Sequence, residues 1–119
     1  MFVLTIILNF LFLNTDSNLI TQDMGLYTTE TGKGRVSVYI ENNELMGKLV
    51  WSRDHELPSK DIVILKGFRP KGKYWVGGTL YNPENKKTYT PKIEIFDNEL
   101  ALLIKYGLYT HKVIWKKST

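Results

Sequence analysis

The chain has 119 residues, 16 Lys and Arg against 12 Asp and Glu, and no cysteine. That length holds one domain with a modest core, and 43% hydrophobic with 24% charged residues excludes a disordered or fibrous chain. The lack of cysteine excludes disulfides, thiolate metal sites, cysteine nucleophiles and lipidation at an N-terminal cysteine.

The basic residues all lie at Lys33 or later. Before them, Phe2 to Leu13 reads FVLTIILNFLFL, apolar apart from Thr5 and Asn9. Twelve residues of helix would span about 18 Å, short of the ~30 Å hydrocarbon core, so no stable membrane span is expected. The segment is expected to be the apolar part of a signal peptide, with residues 1–18 as leader and residues 19–119 as a single mature domain. The expected destination is then outside the cytoplasm, periplasmic or secreted. No basic residue precedes the apolar run and no small-x-small cleavage site follows it, so a buried N-terminal element is the competing reading. Cleavage near Ser17 would remove Asp16 and leave 16 basic against 11 acidic residues, a net +5.

From Met24 onward the pattern is strand after strand. Met24 to Thr29 is the first. Arg35 to Glu41 (RVSVYIE) places Val36, Val38 and Ile40 on one face and polar residues on the other, the period-two alternation of a half-buried strand. Asn42-Asn43 tolerates positive φ and predicts a tight hairpin. Glu44 to Trp51 returns, with Leu45, Leu49 and Trp51 assigned to one face. The polar stretch Ser52 to Asp61 is a loop, and Ile62 to Phe68 is the next strand. Arg69-Pro70-Lys71-Gly72 suits a type I turn. Lys73 to Tyr81 is a strand whose Gly77-Gly78 pair signals a bulge or a barrel corner. Asn82 to Asn85 is a further turn. Thr88 to Phe96 is a strand with Pro91 at a bulge or unpaired edge, because proline cannot donate to a ladder. Asp97-Asn98 turns the chain into Leu100 to Tyr106, and Gly107 breaks it before Tyr109 to Lys117. Eight strands joined in order form a meander, and closure removes its two edges. The expected fold is therefore all-β, an eight-stranded antiparallel up-and-down barrel with lipocalin-like geometry, nearly filled by side chains or holding one small ligand.

Several spaced motifs carry a family resemblance. Ile64-Leu65-Lys66-Gly67-Phe68-Arg69-Pro70 precedes Trp75-Val76-Gly77-Gly78, Tyr81-Asn82-Pro83-Glu84-Asn85 and Lys87-Thr88-Tyr89, with Leu45, Gly47, Val50-Trp51 and Trp115 in matching places. Together, over about residues 24–117, they resemble the bacterial exported domain-of-unknown-function 2147 family. Tyr27 stands where that family has tryptophan, and the stretch between Trp51 and Ile64 is short. The family's Arg-Gly appears as Leu103-Ile104, its polar ending appears as Lys112 to Lys117, and its frequent cysteines are missing. The resemblance implies a lipocalin or calycin-like barrel, export and no established enzymatic activity.

The residues offer little for catalysis. His55 lies in a loop and His111 near the last strand, with no second histidine at metal-ligand spacing. Asp54, Glu56 and Asp61 share a loop without the ligand count or glycine of a calcium-binding loop, and Glu94 and Glu99 flank a turn. No nucleophile elbow, P-loop or dinucleotide fingerprint is present. No catalytic residue, metal or cofactor is expected, and the chain is expected not to be an enzyme. Strand aromatics suggest either core packing or a cavity for an apolar or amphipathic ligand. The candidate lining residues are Tyr27, Val38, Leu49, Trp51, Phe68, Trp75, Tyr89 and Trp115. Lys71, Lys73, Lys86, Lys87, Lys116 and Lys117 sit in turns and at the chain end, which favours surface electrostatics over a nucleic-acid groove. The expected partner is a small apolar or amphipathic molecule carried in the barrel, with no nucleic acid. The alternative is a filled barrel whose outer surface binds an envelope protein or anionic polymer. Self-association as a homodimer stays open.

Overall fold

The computed structural model describes residues 21–53 and 62–118. The expected signal peptide, His55 and the Asp54, Glu56 and Asp61 loop lie outside the described residues. Ten strand segments follow one another: β1 (Thr21–Thr28), β2 (Gly34–Glu41), β3 (Glu44–Ser52), β4 (Ile62–Lys71), β5 (Tyr74–Val76), β6 (Thr79–Asn82), β7 (Lys87–Tyr89), β8 (Lys92–Phe96), β9 (Glu99–Tyr106) and β10 (Tyr109–Lys117). They follow eight strand paths. β5 and β6 both pair antiparallel with β4, on either side of Gly77-Gly78. β7 then pairs with β6 and β8 with β5, on either side of Thr90-Pro91. Pairing of β3 with β4 and of β1 with β10 closes the sheet into a barrel, all of it antiparallel.

The two breaks have different causes. Gly77 adopts φ +81°, a conformation that suits glycine. A Cβ on Gly78 would stand 2.5 Å from both the Lys66 carbonyl oxygen and Phe68 Cδ1, so the chain turns its corner where the backbone lies against a neighbour. Pro91 is buried at the second break, just before β8, where no ladder amide is asked of it.

Turn geometry sets the register. Asn42 and Asn43 take φ +52° and +68°, both central residues positive as a type I′ hairpin requires, between the paired Glu41 and Glu44. The reading of Arg69 to Gly72 as a type I turn is corrected. β4 runs through Pro70 to Lys71, which pairs with Tyr74, and the loop is Gly72-Lys73. Gly72, at φ +62°, supplies the positive φ of a primed turn, whose twist matches the flanking strands better than a type I turn.

Alternation sends Val36, Val38, Leu45, Leu49, Ile93, Leu100, Leu102 and Ile104 inward to one buried cluster, and two register shifts against β3 let β4 add Ile64, Leu65 and Phe68 to it. Because consecutive strands alternate direction, the connections fall at two ends. At one end are the two-residue turns Asn42-Asn43, Gly72-Lys73 and Asp97-Asn98. At the other are the β1–β2 loop, the end of β3 and the start of β4, the Pro83–Lys86 turn and the β9–β10 hairpin tip.

Candidate ligand-binding site

The second end is hollow. A cavity of about 690 Å³ opens among its loops. Its apolar floor is made by Leu49, Ile64, Leu80, Leu102, Ile104, Val113 and Trp115, one or more from each of five strand paths. These side chains point inward by simple alternation, so the floor continues the core.

Above the floor stands an aromatic wall. Tyr89 and Tyr106 meet edge to face with centroids 6.3 Å apart, and Tyr106 lies 6.3 Å from the His111 ring. The Asn85 side-chain amide donates to the Tyr89 hydroxyl at 2.9 Å and fixes that ring. The rim is polar and carries Glu30, Lys33, Glu84 and Lys86. The β1–β2 loop of this rim is held by the Thr29 amide donating to the Gly34 carbonyl at 2.9 Å and the Gly34 amide donating to Thr29 Oγ1 at 3.1 Å. The Ile114 amide donates to the Glu30 carboxylate at 3.3 Å, tying that loop to β10.

Of the eight residues expected to line a cavity, Leu49, Tyr89 and Trp115 do so. Tyr27, Val38 and Phe68 are buried in the packed part of the barrel, away from the lining. Burial raises the Tyr27 hydroxyl above the ordinary tyrosine range. Trp75 pairs with Ile93 and packs half-buried on the core, while Tyr74 faces outward with Lys73 and Lys92 over its ring at 5.3 Å and 5.1 Å.

Trp51 is placed differently from its assignment to the face of Leu49. In the β2–β3 ladder Arg35 opposes Trp51 but Val36 opposes Leu49, so Val50 is an extra residue in β3. This bulge reverses the alternation and turns Trp51 to the outer surface, under the Arg35 guanidinium at 5.2 Å.

Tyr106 and His111 were absent from the expected set. The signal for His111 was present, because it shares its strand face with Val113 and Trp115. Its ring contact is with Tyr106, and among the described residues no hydrogen bond joins it to a carboxylate. Also among the described residues, no charged side chain is buried and no three His, Asp or Glu side chains gather as metal ligands. The arrangement offers an apolar volume, stacking surfaces and a charged rim, which suits holding a molecule by burial and orienting its polar end.

A closed eight-stranded meander with a hollow end defines a lipocalin-like barrel. A solved structure described as "Protein HP1028 from the human pathogen Helicobacter pylori belongs to the lipocalin family" is similar, with a TM-score of 0.65 and 19% identity over 80% of this chain and 82% of that one. At that identity the likeness speaks to the fold. Residues 25–119 match the family model described as "Uncharacterized protein conserved in bacteria (DUF2147)", and the chain belongs to that family. No curated protein matches the sequence.

Proposed function

We propose that this protein binds a small amphipathic molecule, its apolar body against the floor and its polar end among the rim residues, and that it acts by binding without catalysing a reaction. The observation that carries this reading is the 690 Å³ cavity with an apolar floor and polar mouth, within the range that small-molecule sites occupy. A barrel serving only its outer surface has no use for such a space, which makes the filled-barrel reading the weaker one. Export of the domain belongs to the same proposal and rests on the apolar run Phe2 to Leu13. Mass spectrometry of the protein recovered from its host reads the mature N-terminus directly.

The test of binding is titration with an environment-sensitive apolar fluorophore, followed by displacement with fatty acids of graded length. Saturable enhancement is expected, with Trp115 emission changing in step. Leu80→Trp fills the floor and is expected to abolish the enhancement while the circular dichroism spectrum is kept. Enhancement that persists undiminished in folded Leu80→Trp places the fluorophore elsewhere and overturns the reading.

A further inference from the structure

The β9–β10 hairpin outreaches the barrel wall. β8 pairs with β9 as far as Leu103, opposite Lys92, so among the described residues Ile104 to Tyr106 have no strand partner on that side. On the other side β1 reaches only Lys116 and Lys117 of β10. Among the described residues, Ile104 to Tyr106 and Tyr109 to His111 therefore pair only with each other, as a two-stranded arm above the cavity mouth. Its inner face contributes Tyr106 and His111 to the aromatic wall.

The tip is unusual in what it exposes. Gly107, at φ +59°, meets the conformational demand of the turn between Tyr106 and Tyr109, and nothing in that turn calls for an apolar neighbour. Yet Leu108 is fully exposed, Tyr109 is 79% exposed and Tyr106 is 48% exposed. Behind them Lys105 and Lys112 stand on the outer face, and no Asp or Glu follows Glu99 in the sequence.

We propose that this arm seats the open end of the barrel on a lipid surface bearing anionic headgroups. Leu108 enters the acyl boundary, the two tyrosine rings occupy the interface that amphipathic rings favour, and Lys105 and Lys112 meet the headgroup charge. A single leucine between two rings is too small an apolar area for a protein interface, which needs roughly 800 Å² on each partner. Tip-to-tip contact with a second copy would bring Lys105 and Lys112 against their own kind. The docking does not depend on the cavity being occupied, although it would set the mouth against the membrane.

Co-sedimentation of the full protein with vesicles of phosphatidylcholine, with and without phosphatidylglycerol, tests this. Binding is expected on the phosphatidylglycerol vesicles and is expected to weaken with salt. Leu108→Asp should lower the affinity about tenfold or more, since a buried leucine is replaced by a charge that the headgroups repel. Neutralising Lys105 and Lys112 to Gln should cost about fivefold each and flatten the salt dependence. Binding of the fluorophore by Leu108→Asp is a separate readout, so loss of docking and absence of a cavity ligand are told apart. Equal affinity for both vesicle types, or for the Leu108→Asp and unaltered proteins, overturns the proposal. Concentration-dependent dimerisation that Leu108→Asp abolishes also overturns it, because a second copy then covers the tip.

Discussion

Gly78 and Phe68 meet where the barrel turns its corner, and there is no room for one carbon more. A Cβ at Gly78 would press on the Lys66 carbonyl, which is backbone and gives way poorly, and on the Phe68 ring. Gly78→Ala is expected to cost about 1–3 kcal/mol, read from urea unfolding, as overpacking does in a well-filled interior. Phe68→Ala removes a fully buried ring from the same place and should cost about 3–5 kcal/mol by the same measurement. Trp51 gives the contrast. It lies on the outer surface beneath the Arg35 guanidinium, so Trp51→Ala should cost under about 1 kcal/mol and leave fluorophore binding unchanged. Trp115 was legible as an interior residue and Trp51 was not, although both stand on strands. The difference is one residue: the Val50 bulge reverses parity, and a bulge without glycine leaves no mark in the hydrophobic pattern.

Among the elements, β9 and β10 pair with each other over eight residue pairs, as β2 and β3 do, yet lack neighbouring strands at their far end. Native-state hydrogen exchange should therefore be fast for the amides of Tyr106 to His111 and slow for β2 and β3, where both strands have neighbours on either side. The β1–β10 seam, with two residue pairs and the Ser118 amide donating to the Leu26 carbonyl at 2.7 Å, should exchange at an intermediate rate. Element order and most boundaries were readable from alternation and turn residues, including both interruptions, because Gly77-Gly78 and Pro91 announce them chemically. The Arg69 to Gly72 turn was misplaced by two residues. Proline suits the second position of a type I turn, but the twist of the paired strands favours the primed loop that Gly72 permits.

At the scale of the whole molecule, burial holds the hydroxyls of Tyr27 and Tyr39 above the usual tyrosine range, with Glu41 adding to the effect at Tyr39. An acid whose folded pKa is raised binds its proton more tightly in the folded state. Stability is therefore full below the unfolded tyrosine value of about 10 and is lost as pH rises above it. Chemical denaturation across that range should show a declining alkaline limb, shallower in Tyr27→Phe. The closed barrel was legible because eight alternating strands in a meander have few other ways to hide their edges. Whether it is hollow was not, since that depends on strand tilt, stagger and summed side-chain volume across strands distant in sequence. The rim was hidden for the same reason, as nothing local distinguishes Thr29 to Gly34 at an open mouth from a loop over a filled end.

The two ends of the barrel also differ in how much change they can absorb. Asn42-Asn43, Gly72-Lys73 and Asp97-Asn98 are two-residue turns whose conformations fix the register, and one inserted residue at any of them would carry a strand's core face outward. The β1–β2 loop and the Pro83–Lys86 turn at the mouth are longer and bound by no such rule. Lengthening or shortening them reshapes the opening and leaves the packed half as it is. Variation among relatives, or loops chosen in a library, can thus alter what the mouth admits without disturbing the core that holds the scaffold together.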